Sequence, residues 1–435
     1  MESLPKSTKS RVLSSQGGGR FLFLVVAWVA LLLAGAVLFF VIGALRDPTG
    51  SLHGMVGSAL WTTLGPHFVL VSLFALGLGI FAGWRRPTLI ALFAVWAAGA
   101  AGAGSVMIVW SFVFATSGAG GQVNVIRALY LRPMTGGGPD EITTVTTVNG
   151  RVLQAAIYRP READGLSPVI LYIHGGGFMT GHMTETDADL RWFADRGWLV
   201  VSADYRVFSE GAPTWDRAPS DVACAAAWVA ANAGRLGGDI DRLALLGDSA
   251  GGNLAINLAY MAARGDTRSD CGTVPVPAAV VVQYPAVDPL AIYEHGYPVR
   301  GFEPRMLVRG HLGGDPQAFP ERVDAVSSFT FLHAQAPPTL ILSPKKDGLV
   351  PAWSVVRFAE YAEAAGVEVE LVRLPFANHV YNQLAANSLG NQARRSITVR
   401  YLAERGLAPS FAGAKVATFR KMPSKQRNDE RPDTP

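Results

Sequence analysis

The chain has 435 residues, of which 49% are hydrophobic and only 17% charged, with a net charge of +4. That length points to more than one structural unit, and that balance is too apolar for an ordinary soluble domain. No Lys/Arg stripe interleaved with aromatics points to nucleic acid, and Cys224 and Cys271 have neither CxxC spacing nor a nearby histidine cluster for a metal.

The apolar excess is local. Residues 21–45, 51–83 and 87–126 contain no Asp, Glu, Lys or Arg. Each run exceeds the roughly 20 residues that a helix needs to cross a ~30 Å hydrocarbon core, which predicts three transmembrane helices near 21–45, 56–83 and 88–117. The first run is too long for a cleavable signal peptide, and two more follow it. Lys6, Lys9, Arg11 and Arg20 precede the first span, and Arg85 and Arg86 separate the second from the third. The positive-inside rule therefore puts residues 1–20 and the 85–86 turn in the cytoplasm of a multi-pass cell-membrane protein, and everything after about 118 outside. Small residues (Gly79-x-x-x-Gly83, Ala97 to Ser105) suit close helix packing, and the charge-free spans offer no ion or proton path. His53 and His67 read as interfacial or helix-packing residues, and residues 21–117 read as an anchor in the lipid bilayer.

Glycine-rich stretches at 117–121 and 136–139 mark 118–140 as a linker. From Glu141 short apolar runs alternate with amphipathic stretches. Strands are expected at 142–148, 152–158, 168–173, 198–203, 242–247, 278–283, 339–343 and 367–373, and helices at 184–196, 218–233, 250–264, 352–365 and 391–405. Runs such as Val169-Ile170-Leu171-Tyr172-Ile173 are apolar throughout, as in strands covered on both faces. The pattern predicts a doubly wound, mostly parallel sheet over 141–407. Residues 290–335, with a short helix at 304–312, suit either an insertion over the sheet top, where a lid or acyl pocket would sit, or a plain long loop. The basic tail at 408–435, clearest from Lys415, has little to bury and is expected to be disordered.

Strand 242–247 runs into "GDSAGG", with Ser249 between glycines at the start of the next helix. Helix capping explains a serine there but not Gly247, Gly251 and Gly252 around it. A G-x-S-x-G turn lifts the hydroxyl clear of the backbone at the carboxyl edge of the sheet, where open α/β folds bind ligands. A serine nucleophile needs a base, and the base an orienting acid. Asp347 in "LILSPKKDGLVP" and His379 in "VRLPFANHVYN" each follow a strand, in the chain order Ser, Asp, His. In "LYIHGGGFMTG" three glycines follow a strand, and the N–H groups of Gly176 and Gly177 with that of Ala250 form a candidate oxyanion hole. No Lys-Ser/Thr follows that loop, so it is not a phosphate-binding P-loop, and His174 reads as a support for the loop.

With these residues in place, residues 141–407 resemble the α/β-hydrolase superfamily. HGGGF at 174–178 and GDSAGGN at 247–253 look like the hormone-sensitive-lipase-like carboxylesterases and acetyl esterases, as do DYR at 204–206 and PSDV at 219–222. The segments KKDGLVP and NHVY depart from that group's DxLxD and His-x-Phe patterns and look more like the broader esterase and peptidase branches. The resemblance implies Ser249 as nucleophile, His379 as base and Asp347 as its orienter, in a serine carboxylesterase acting on a small-molecule or lipid ester. That chemistry needs no cofactor and no metal, and it fails as His379 protonates on acidification. An amidase, peptidase or thioesterase, an envelope acyltransferase, or a non-catalytic binding module are the competing readings. Natural ester, acyl length, oligomeric state and the pairing of Cys224 with Cys271 stay open at this level.

Overall fold

The computed structural model describes residues 12–162, 164–267, 269–298 and 301–410, with side chains from residue 19 onward. The expected disordered tail therefore lies outside the described residues from 411 onward, as do residues 1–11.

The N-terminal part consists of helices α1 (Val12–Leu45), α2 (Leu52–Ala59), α3 (Trp61–Arg85) and α4 (Leu89–Gly118). Among the described residues, three stretches are long and apolar enough to cross a membrane: Gly19–Leu45, Trp61–Arg85 and Leu89–Gly118. The second begins later than the expected 56, because a turn at Leu60 cuts off α2 as a separate two-turn helix capped by the Ser51 side chain. Nothing in the sequence announces that break, since Ala59, Leu60 and Trp61 are all apolar. The helices meet through small residues: Ala34, Ala75 and Ala98 form one buried cluster and Ala27, Ala82 and Ala91 another. Small residues at such contacts let the helix backbones approach closely, as in membrane-spanning bundles. Phe21, Trp84, Trp110 and Phe114 point outward. His53 stacks on Phe39 and pairs through Nε2 with the Phe39 carbonyl at 2.7 Å, while His67 Nε2 meets the Leu129 carbonyl at 3.2 Å.

Beyond residue 140 an eight-stranded sheet forms: β1 (Glu141–Val148), β2 (Arg151–Tyr158), β3 (Ser167–Ile173), β4 (Leu199–Ala203), β5 (Gly238–Asp248), β6 (Ala279–Gln283), β7 (Thr339–Pro344) and β8 (Val369–Leu374). Its order is β1-β2-β4-β3-β5-β6-β7-β8. The pairs β1–β2 and β2–β4 are antiparallel and the others parallel. Helices α5 (Asp187–Ala194), α6 (Arg217–Asn232), α7 (Ala250–Arg264), α11 (Ala352–Ala364) and α12 (Leu389–Glu404) flank it. Alternation along the strands sorts the core into two layers. Val169, Leu171 and Ile173 pack with α6, α7 and α11, and Ile170 and Tyr172 with α5 and α12. The architecture is the expected α/β-hydrolase fold behind an apolar helical region. The insertion is not a plain loop: α8 (Pro289–His295), α9 (Pro304–Leu312) and α10 (Pro320–Val326) build it, each opened by a proline.

The two parts are packed together. Val109 and Phe112 of α4 belong to the buried cluster beneath α5 and α12. Between them, residues 119–140 lie along the second part: Gln122 N–H donates to Ser396 Oγ at 2.8 Å, and Arg191 donates to the carbonyls of Gly137 and Gly138. The C-terminal end of α1, the N-terminal end of α3 and the C-terminal end of α4 all face the sheet domain, through Arg46–Lys346, Thr62–Tyr381 and the Val109–Phe112 contacts.

Cys224 of α6 and Cys271 are joined in a disulfide, which answers the pairing that sequence left open. It closes a separation of 47 residues, and a link of that span stabilises by about 2–4 kcal/mol, chiefly through the unfolded chain. The double variant Cys224→Ala/Cys271→Ala is expected to unfold at lower temperature in detergent, and the parent treated with reductant should match it. An unchanged melting temperature for both would show that the bond is dispensable.

Candidate active site

Ser249 sits between β5 and α7 with φ 55° and ψ −117°, a left-handed conformation rare for a residue with a side chain. The glycines make the turn sterically feasible. A Cβ on Gly247 would lie 2.3 Å from the Gly251 carbonyl oxygen, and one on Gly251 would lie 2.2 Å from that of Ile173. The backbone of the turn is tied to the next strand, with Ser249 N–H donating to Gln283 O at 2.9 Å and Ala286 N–H to Ser249 O at 3.1 Å.

The loops after β7 and β8 bring the other two residues to this edge. His379 Nε2 lies 3.0 Å from Ser249 Oγ, and His379 Nδ1 lies 2.8 Å from Asp347 Oδ2. The other carboxylate oxygen of Asp347 accepts from the N–H groups of Leu349 and Val350 at 3.0 and 2.9 Å, which locks its orientation. All three side chains are buried, and the ring of Tyr284 lies 4.5 Å from that of His379. In such a chain the imidazole can accept the serine proton through one nitrogen while the carboxylate holds the other.

Gly177 and Ala250 line the same cavity as Ser249. Gly176 precedes them in the loop with φ 105°, where a Cβ would strike the Thr180 carbonyl oxygen at 2.0 Å. The DYR and PSDV segments brace this loop, a role that their spacing alone did not reveal. The Tyr205 hydroxyl lies 2.9 Å from the His174 carbonyl and 3.1 Å from that of Gly175, with its ring stacked on His174. Arg206 donates to both oxygens of Asp221 at 2.8 Å. His174 itself pairs through Nδ1 with the Gly175 carbonyl.

Behind the turn, Asp248 is fully buried. Burial raises its pKa, while Arg394, Gln383 and Tyr172 work in the opposite sense. Arg394 lies 3.8 Å from Asp248 and 2.7 Å from Asp189, and Arg395 also pairs with Asp189. Burial disfavours the Arg394 charge, but the two carboxylates outweigh it and raise its pKa. Breaking a buried pair of this kind typically costs about 3–5 kcal/mol, because one charge is left uncompensated.

A cavity of about 40 Å³ opens at Ser249. Its wall is apolar (Phe178, Ile292, Leu307, Val308, Val326, Leu349) except chiefly for His311. The insertion helices α8 and α9 supply much of it; α9 is the short helix expected at 304–312, whereas α8, with seven residues, is too short to show a helical period. His311 stacks on Phe178 with ring centres 3.8 Å apart, and its Nδ1 lies 3.0 Å from Thr214 Oγ1. Burial alone pushes its imidazole down to about 3.

The chain is similar to known proteins over the sheet domain. The family designated BD-FAE matches residues 155–361. The probable carboxylic ester hydrolase LipM of Mycobacterium tuberculosis is 29% identical over 274 residues, covering 61% of this chain and 61% of LipM. The chain thus spans less than two thirds of LipM's length. Ethyl acetate hydrolase of Pseudomonas putida is 28% identical over 263 residues, covering 57% of this chain and 78% of that protein. The native structure of a thermophilic esterase, Est2 of Thermogutta terrifontis, superposes with a TM-score of 0.52 at 25% identity, covering 64% of this chain and 95% of that one. The sheet domain thus has the α/β-hydrolase fold and is similar to carboxylesterases.

The depressed His311 has a consequence for acid stability. Its folded-state pKa lies near 3 and its unfolded one near 6.5, so the unfolded chain binds the extra proton first. Its contribution to stability is complete above about pH 6.5 and is lost as the pH falls toward 3. At pH 5 this amounts to about 2 kcal/mol. Thermal unfolding at pH 7 and pH 5 should show a drop that shrinks in His311→Phe. An equal drop in both proteins would mean that the ring is not held neutral.

Proposed function

We propose that this protein is a membrane-anchored serine carboxylesterase. The observation that carries the reading is the continuous chain of contacts from Ser249 Oγ through His379 to Asp347, at 3.0 and 2.8 Å. His379 Nε2 takes the Ser249 proton as Oγ attacks the ester carbonyl, and Asp347 holds Nδ1–H and the positive charge that develops on the ring. The N–H groups of Gly176, Gly177 and Ala250 receive the oxyanion; one such donor is worth about 3–4 kcal/mol. As the tetrahedral intermediate collapses, the C–O bond to the alcohol breaks and His379 gives the leaving alkoxide its proton. Water then attacks the acyl-enzyme, giving its proton to His379, and the acid departs as Ser249 regains its hydrogen.

The small apolar cavity supports a short acyl chain. In keeping with this, Est2 of Thermogutta terrifontis has been solved with butyrate bound. An alcohol in place of water would make the same site an acyltransferase, and an amide or thioester would use the same steps. The ester reading is preferred because the curated relatives reported above are ester hydrolases by name.

The decisive assay is p-nitrophenol release from acetyl to dodecanoyl esters by the full-length protein in detergent. Turnover should peak at short chains and fall by about 10⁴–10⁶ in Ser249→Ala. Leu307→Ala, which widens the cavity, should move the peak to longer chains. Equal activity in the Ser249→Ala protein would remove the serine mechanism.

The basic residues of the N-terminus and of the 85–86 turn, together with the Cys224–Cys271 disulfide, support an extracytoplasmic catalytic domain. A C-terminal reporter active only outside the cytoplasm should light up, and one active only inside should stay dark. The reverse result would invert the topology.

A further inference from the structure

The helical region touches the hydrolase domain at the two loops that carry the acid and the base. Asn378, beside His379 and buried, is the junction. Its Oδ1 accepts from the His379 N–H at 2.7 Å and from the Gly348 N–H at 3.2 Å, so one oxygen fastens the base loop to the acid loop. Its Nδ2 donates to Ser58 Oγ of α2 at 2.7 Å and to the Met55 carbonyl at 3.3 Å. Ser58 is itself buried and donates to Gly54 O at 2.8 Å. A Cβ on Gly348 would meet Met55 Sδ at 2.7 Å, so α2 abuts the residue that follows Asp347. On the other side of Asp347, Lys346 Nζ donates to the Arg46 carbonyl at 2.9 Å.

The base loop is also strained where the helices hold it. Phe376 and Val380 have φ of 55° and 54°, a region that non-glycine residues enter only when their surroundings over-determine them. Phe376 packs against the cluster of Val37, Val41, Ala44 and Trp61 from α1 and α3. The carbonyl of Tyr381, next to Val380, accepts from Thr62 Oγ1 at 2.8 Å. The two strained residues therefore bracket His379, and each is secured by the helical region. Helix α2 is in turn seated on α1: a Cβ on Gly57 would lie 2.4 Å from Gly43 Cα.

We infer that α2 and the start of α3 are a positioning element of the active site, with Ser58 and Thr62 as positioning residues that act through Asn378 and Tyr381 on the orientation of His379. The membrane region is then part of the catalytic apparatus as well as an anchor. The inference rests on the serine-esterase reading above. It explains why the buried hydroxyls of Ser58 and Thr62 bond to groups of another domain. Ser249 is held by the sheet, through β5 and β6, whereas the base and the acid are held from the membrane side.

The test uses the full-length protein in detergent with p-nitrophenyl acetate, and kcat is expressed per active site titrated with an organophosphate. Ser58→Ala and Thr62→Val each remove a hydroxyl with little change of volume. Misplacement of a reacting group on the ångström scale costs about a hundredfold in rate. Each variant is expected to lose about ten- to a hundredfold in kcat with KM within twofold. Thr62→Ser keeps the hydroxyl and should retain wild-type kcat. Wild-type kcat in both Ser58→Ala and Thr62→Val overturns the inference. So does a loss seen only as fewer titratable sites, or a Thr62→Ser protein as poor as Thr62→Val. If Ser249→Ala retains full turnover, the esterase mechanism itself fails and the inference falls with it; an inactive Ser249→Ala beside an unaffected Ser58→Ala and Thr62→Val refutes the positioning element alone.

Discussion

Everything at this site depends on one backbone crossing. For Ser249 to stand clear of the sheet, β5 must turn into α7 within two residues, and the strand, the helix and β3 must then share a space too small for side chains. The distances of 2.2–2.3 Å that a Cβ on Gly251 or Gly247 would make show how complete that constraint is. Such strain persists only when neighbouring structure enforces it. Here the enforcement comes from the parallel pairing of β5 with β3 and β6, and from hydrogen bonds between the turn and the segment after β6. The position of the hydroxyl is thus a property of the sheet, and it was available before any ligand arrived.

The charges behind that turn follow a different logic. Asp248 and Asp189 lie in the interior with Arg394 between them and Arg395 on Asp189, and buried ions are tolerated only in such pairs. The pairing ties α12 to α5 and to the end of β5, three elements that the chain order keeps far apart. A set of apolar residues could fill the same volume, often at no cost in stability. What the ionic version adds here is a fixed link from α12 to the residue next to Ser249.

The sequence made the sheet domain readable because its signals are local. Apolar runs such as Val169–Ile173 are bounded by turn residues, and each of Ser249, Asp347 and His379 comes just after one of them, which is enough to gather them at one edge. The helices of the insertion were less readable. Helices α8 and α10 have seven residues each, too few to show a helical period, and only their leading prolines hint at them. Helix α2 was absorbed into the second apolar run because its end carries no breaker. The links between the two parts were not legible at all. Ser58, Thr62 and Asn378 are ordinary polar residues, and their partners lie 319 and 320 positions away, beyond the reach of any pattern in a single chain.

The length of α4 has a mechanical meaning. Its 30 residues span about 45 Å, whereas a hydrocarbon core is about 30 Å thick. The surplus is roughly the stretch from Val109 to the end of the helix, the part whose Val109 and Phe112 are built into the hydrolase core. A globule on a flexible leash samples many heights and attitudes above a bilayer. This one is mortised onto its own pillar: if α1, α3 and α4 span a bilayer, the edge that carries Ser249 keeps a fixed altitude and a fixed heading, and molecules meet it by coming to that level.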